Sequence, residues 1–178
     1  MVRVMKNTNT IKRITKNAIM LAMLCVIGMF SIPLGDNIKV SLQLLMVFII
    51  GLTVSTFYDG IIITGLYLLI GLFIPVYAGF NAGVTPTFGF VISFVVITPI
   101  LYFLNKLPIK NQFLRMSIAC VVSLIICYFI GALFLALYLH FDIQKALLIA
   151  VVPYIPFDIA KIIIAVLVVS LLPKKLVE

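Results

Sequence analysis

The length of the uncharged apolar runs constrains this chain more than any other feature. No Asp, Glu, Lys or Arg occurs from Gly60 to Asn105 or from Met116 to Phe141. Charged residues make up 10% of the chain, against about 25% in soluble domains. In lipid only helices and closed barrels satisfy the backbone, and barrel strands would alternate polar and apolar residues. We therefore predict an all-α membrane protein.

The apolar runs divide the chain into six predicted transmembrane helices, which form one compact bundle. The whole chain, 1–178, is expected to be a single membrane-embedded domain, with residues 1–14 as an N-terminal tail. Two prolines in the last run, Pro153 and Pro156, are expected to kink or loosen its helix, because proline lacks the N–H that a helix interior needs. The predicted helices are about Thr15–Ile32, Ser41–Val54, Asp59–Ile74, Pro86–Leu104, Phe113–Leu139 and Ile143–Leu172.

Basic residues, which give the chain a net charge of +8, cluster beside the apolar runs. An even number of spans places both termini on the same side, and the positive-inside rule assigns that side to the cytoplasm. The topology explains these charges, so we predict a multi-pass protein of the cell membrane and no nucleic-acid partner. The clusters are Arg3, Lys6, Lys12, Arg13 and Lys16; Lys106, Lys110 and Arg115; and Lys174 and Lys175.

Residues for catalysis or metal binding are scarce. The chain has one histidine, His140, and no HExxH or phosphate-loop pattern. Its three cysteines, Cys25, Cys120 and Cys127, lie within apolar runs without CxxC spacing. We therefore predict no catalytic residue, no metal site and no cofactor, and any uphill transport would need energy from another protein.

Two charged residues lie inside an apolar run, Asp158 and Lys161. Residues three apart share a helix face, so the two side chains can meet. Each would cost at least about 2.5–3.5 kcal/mol near mid-membrane unless compensated. One interpretation is an ion pair that only stabilises the helix. The other, which we favour because charges within membranes usually mark function, is a ligand site.

Further candidates for substrate binding are polar residues near the predicted helix ends. Gln43 stands near the start of the second helix, and Tyr154 stands between the two prolines of the last. Asn81 and Thr85 belong to a glycine-containing loop that could cover a small ligand or simply connect two helices. On the first helix, two small residues four apart would let another helix approach closely, either within the bundle or from a partner. These are Ala18 and Ala22.

Four segments together resemble the BioY family, the biotin-specific S components of energy-coupling factor (ECF) transporters. The most specific is Pro-Phe-Asp-Ile-Ala-Lys, similar to a Pro-Gly-Asp-x-x-Lys segment of that family. The others are similar to its second helix, to the segment before its glycine-rich loop, and to its helix-1 motif of two spaced alanines. In chain order the four segments are Ala18–Ala22, Val40–Leu45, Gly71–Gly79 and Pro156–Lys161.

This resemblance implies a prokaryotic plasma-membrane protein that captures biotin outside the cell. It also implies partners, a membrane-embedded T component that Ala18 and Ala22 would contact and two ATPase subunits. Other cofactor acids such as lipoate or pantothenate remain alternatives, although they lack the ureido N–H groups that Asp158 could bind. A proton-coupled secondary transporter, working without partners, is a further alternative.

Overall fold

The structure is a computed structural model that describes residues 2–33 and 39–173. Within those ranges it contains seven α-helices and one short antiparallel hairpin, β1 with β2, which joins the first two helices. Lys174, Lys175 and the middle of the first predicted loop lie outside the described residues. The elements are α1 Val2–Met29, β1 Ser31–Pro33, β2 Lys39–Ser41, α2 Gln43–Thr53, α3 Phe57–Phe73, α4 Phe88–Leu104, α5 Gln112–Leu139, α6 Ile143–Ala150 and α7 Ile155–Leu171.

The sixth predicted helix, about Ile143–Leu172, is interrupted near its middle in the structure. After α6 a 3-10 turn covers Val152–Tyr154, and α7 then begins at Ile155. Pro153 and Pro156 each stand in the first two positions of a helical element, where the missing N–H would have no helical partner in any case. The predicted loosening at these prolines is confirmed, in the form of a 3-10 turn between α6 and α7.

Two helix starts also differ from the prediction. The first helix begins at Val2 instead of Thr15, because residues 2–14 contain no glycine or proline to interrupt it. The third begins at Phe57, where Thr56 and Asp59 form a reciprocal capping box. The Thr56 hydroxyl accepts from the Asp59 N–H, and the Asp59 carboxylate accepts from the Thr56 N–H.

The short helix α2 lies at the centre of the bundle, packed against α1, α3, α4 and α7. Three of its residues, Val47, Phe48 and Ile50, have no exposed surface. Because α2 is enclosed by other helices, it is apolar on all sides and shows little amphipathic pattern. This position also explains how a helix of only 11 residues is accommodated.

The outer surface carries apolar stripes at helical spacing. Two helical segments, Gln112–Leu139 and Ile143–Leu171, are long and apolar enough to cross a membrane by length and composition. Less than half of the most apolar window of each segment is buried, 44% and 33%. Such outward stripes are typical of helices surrounded by lipid. The exposed residues include Ile125, Phe129, Leu133 and Leu137 on α5, and Ile159, Ile163, Leu167 and Leu171 on α7.

Several basic side chains lie together at one end of the bundle. The Arg13 guanidinium is 2.9 Å from the Asp59 carboxylate, and Lys16 Nζ donates to the Thr53 carbonyl at 2.6 Å. At the same end, Arg115 donates to Asn105, whose amide donates to the carbonyl at the end of α2. We call this the basic end. The connections from α1 to α2, α3 to α4 and α5 to α6 lie at the opposite end.

Helices α4 and α5 interlock through two glycine–phenylalanine contacts. A Cβ atom on Gly131 of α5 would lie 2.3 Å from the ring of Phe90, and one on Gly89 of α4 would lie 2.2 Å from the side chain of Phe134. These distances are far shorter than any van der Waals contact, so only glycine permits this approach.

We expect Gly131→Ala to destabilise the protein by about 1–3 kcal/mol, because the added methyl group overpacks against the Phe90 ring. The matched control is Gly65→Ala in α3, where a Cβ atom would meet nothing within 4 Å. That change should be neutral or stabilise by up to about 1 kcal/mol through helix propensity. Thermal unfolding of the purified proteins measures both. Equal midpoints for the two variants would contradict this account of the helix pair.

Candidate ligand-binding site

A cavity of about 360 Å³ opens among the helices at the end opposite the basic end. It lies between the starts of α2, α4 and α7, the second half of α5, and α6. Small-molecule sites are typically about 300–1,000 Å³ and mostly apolar with a few polar groups, and this cavity has that character. Phe90, Phe94 and Phe141 are among its apolar residues. Its polar lining consists of Ser41, Gln43, Thr87, Tyr128, Tyr154, Asp158 and Lys161.

The two charged residues predicted to meet do so on the cavity wall. Lys161 Nζ lies 2.6 Å from Asp158 Oδ1, and the residues are only 6% and 4% exposed. Their positions follow from the break at Pro156, because α7 begins just before Asp158 and places it in the first turn. A carboxylate is favourable there, next to the free N–H groups of the helix start. The ion pair therefore forms a buried polar spot on the cavity wall.

Tyr128 of α5 completes this polar spot. Its hydroxyl donates to Asp158 Oδ2 at 2.6 Å, so each carboxylate oxygen accepts one hydrogen bond from the described part of the chain. A carboxylate oxygen has two lone pairs, which leaves one on each for a ligand. Sequence reasoning missed Tyr128, because it stands in an unbroken apolar run and its contact with Asp158 is 30 residues away.

Gln43 is the first residue of α2 and points its amide group toward α3. The amide nitrogen donates to the hydroxyl of Tyr67, and that hydroxyl donates to the Val76 carbonyl at 2.9 Å. Gln43 and Tyr154, two of the candidates named from the sequence, both line the cavity.

The structure places two other candidates, Asn81 and Thr85, outside the cavity lining. Asn81 is exposed, and its amide donates to the Ala78 carbonyl within the same loop at 2.8 Å. The Thr85 hydroxyl lies 3.2 Å from that of Thr87. The loop nevertheless reaches the cavity, through Ala78, Pro86 and Thr87.

Ala18 and Ala22 lie on α1, away from the cavity, and both are exposed. Ala18 borders a separate hollow between α1 and α3, near Asn17 and Asp59 at the basic end. The two alanines therefore do not pack inside the described bundle.

Comparison with known proteins gives one consistent result. The model of the BioY family matches residues 4–177. A protein named biotin transporter BioY from Thermotoga maritima is 31% identical over 171 residues, which cover 94% of this chain and 99% of that protein. Another of that name, from Lactococcus lactis, is 30% identical over 183 residues, with coverage of 96% and 95%. The fold is similar to a crystal structure of the S-component for biotin from an ECF-type ABC transporter. That match has a TM-score of 0.80, with 26% identity over 92% of this chain and 91% of that one.

Proposed function

Since the chain belongs to the BioY family, we propose that it is the substrate-binding S component of an ECF-type vitamin importer and that it captures biotin. The observation that carries this proposal is the buried group of Asp158, Lys161 and Tyr128 on the wall of a cavity sized for a small molecule. Intramembrane charges are costly, and a polar ligand compensates for them.

The chemistry of biotin fits this polar spot. Its ureido ring carries N–H donors and a carbonyl acceptor. The free lone pairs of Asp158 can accept from a ureido N–H, while Lys161 has N–H donors beyond the one directed at Asp158 and can donate to the ureido oxygen. Because Lys161 Nζ is held beside Asp158, we propose that both residues bind the same end of the ligand.

The valeryl tail of biotin then extends along the apolar part of the cavity. Phe90, Phe94 and Phe141 provide apolar surface for it and for the thioether ring. The carboxylate would reach hydroxyl groups in the lining, and Ser41 and Thr87 are the candidates. Asn81 and Thr85, which stand outside the lining, would influence binding only through the loop that carries Thr87.

The two ends of the bundle suggest how the protein sits in the membrane. We propose that the basic end faces the cytoplasm, as the positive-inside rule requires, so that the cavity opens to the outside. All described connections near the cavity then lie on the outer side. The sequence has no phosphate-binding loop, so ATP-driven import would need the T component and two ATPase subunits as partners.

We expect the purified chain to bind biotin in detergent without ATP, with one site per chain, as measured by titration calorimetry. Dethiobiotin, which keeps the ureido ring and the carboxylate, should also bind. Lipoate and pantothenate should not, because they lack the ureido group that pairs with Asp158 and Lys161. Binding of lipoate or pantothenate without binding of biotin would assign another substrate to the same class of protein.

A further inference from the structure

The side-chain amide of Gln43 presents a hydrogen-bond acceptor to the cavity, and a residue outside the cavity lining, Tyr67, orients that amide. We infer that its carbonyl oxygen, Oε1, receives a hydrogen bond from a ligand N–H group, and that Tyr67 is a positioning residue that holds Oε1 toward the ligand. The inference rests on the proposed function in so far as the ligand is biotin. Neither role follows from the Asp158–Lys161 pair.

The Gln43 carbonyl oxygen accepts no hydrogen bond from the residues that the structure describes. The residue is only 6% exposed and lines the cavity. Among the described residues its amide nitrogen donates to Tyr67, while Oε1 accepts no hydrogen bond. Gln43 Oε1 is not among the fully buried unpaired oxygens of the described residues, so it is open to the cavity, where a ligand donor can reach it.

The hydrogen-bond chain determines which way the amide faces. The Val76 carbonyl can only accept, and the Tyr67 hydroxyl has a single hydrogen, which it donates to that carbonyl at 2.9 Å. The hydroxyl can then only accept from Gln43, and this requires the amide nitrogen to face Tyr67. Were the amide reversed, the Tyr67 hydrogen would turn to Oε1 and leave the Val76 carbonyl unpaired. The arrangement that satisfies all three groups therefore directs Oε1 away from Tyr67.

The position of the Tyr67 hydroxyl is itself restricted. Tyr67 has no exposed surface, and its ring packs edge-on against that of Tyr77, with 5.6 Å between ring centroids. A Cβ atom on Gly28 of α1 would lie only 2.8 Å from the hydroxyl oxygen. The α1 backbone therefore closes the space into which the Tyr67 hydroxyl could move. Because the Gln43 amide donates to this hydroxyl, the orientation of the amide is restricted as well.

This acceptor gives the site a second contact for a ureido ring. The two N–H groups of a ureido ring point in different directions, so one can bind Asp158 while the other binds Gln43. A ligand without the second N–H leaves Oε1 unpaired, and sites with a stranded polar group reject such analogues. The chain would thus select for a cyclic urea by two separate acceptors.

The test compares biotin affinities of the wild type, Tyr67→Phe, Gln43→Met and the double variant. Each single change should weaken binding about three- to tenfold, the range for one neutral hydrogen bond. The double variant should bind no more weakly than Gln43→Met, because Tyr67 acts only through Gln43. The matched control is Tyr77→Phe, which loses a buried hydroxyl bonded to the Leu68 carbonyl at 2.7 Å and should keep wild-type affinity.

A second measurement does not depend on the folding of Tyr67→Phe. Two biotin analogues, each methylated on one ureido nitrogen, are titrated into the wild type and into Gln43→Met. Gln43→Met and the wild type should have equal affinity for the analogue whose methyl group replaces the N–H that faces Gln43, because that analogue has no donor for Oε1. Two results would overturn the inference and leave the proposed function standing. One is that the affinity losses of the single variants add in the double variant. The other is that Gln43→Met weakens the binding of biotin and of both analogues by the same factor. A wild type that binds no biotin would overturn both.

Discussion

Changing Asp158 to asparagine, or Lys161 to methionine, is expected to weaken biotin binding about ten- to a hundredfold or more. A hydrogen bond to a charged group contributes about 1.5–3 kcal/mol, and the site loses one with either change. Both side chains are buried and lie 2.6 Å apart, so each single change also leaves one charge unpaired. That should lower stability by about 3–5 kcal/mol whatever the role of the pair. Titration calorimetry and thermal unfolding on the same samples measure the two effects.

The double change Asp158→Asn with Lys161→Met separates a ligand site from a purely structural ion pair. It leaves no unpaired charge, so stability should recover toward the wild type in either case. If the pair binds ligand, affinity stays low while stability recovers. Recovery of tight binding in the double variant would refute the assignment. Tyr128→Phe provides a graded comparison, because it removes one hydrogen bond to Asp158 and leaves both charges in place.

The contact between Asp158 and Lys161 was predictable because it depends on sequence spacing alone. Residues three apart on any helix share a face, and two charges in an apolar run have few other partners. Tyr128 was not predictable, because its hydroxyl reaches Asp158 only once α5 packs beside α7. The same holds for Tyr67, whose role depends on its hydrogen bonds to α2 and to Val76. Spacing within an element is visible in a sequence, but packing between elements is not.

Helix positions followed from hydrophobicity, while their ends depended on local chemistry that hydrophobicity does not report. The prolines marked a weak point in the last helix, yet whether they kink it or break it depends on how α6 and α7 pack. The interruption between α6 and α7 is related to the Asp158–Lys161 pair, because α7 begins just before Asp158 and so places it beside the cavity. For Asn81, the sequence did not reveal the contact of its side chain, which donates to the Ala78 carbonyl of its own loop.

Replacing Ala18 and Ala22 together with leucine is expected to abolish biotin uptake by cells that contain the whole transporter, while the purified chain still binds biotin. Both alanines are exposed on α1, four residues apart, and they do not line the cavity. Helices in a membrane associate mainly through close packing, which small residues permit and leucine prevents. If a T component docks on α1 as proposed, it would lose this contact, and ATP hydrolysis could no longer drive release of the captured ligand. Uptake assays and calorimetry measure the two functions separately.

The control for this change is Val121→Phe, which adds bulk to the exposed surface of α5. It should leave both uptake and binding near wild-type values, because contact with lipid tolerates a larger apolar side chain. Co-purification of the T component with the alanine variant gives an independent measure of complex formation, and the complex should be lost together with uptake. Uptake that survives in the alanine variant would refute the proposed contact. Loss of biotin binding instead would mean that α1 affects the cavity, for which Gly28, close to Tyr67 and Gln43, provides the physical connection.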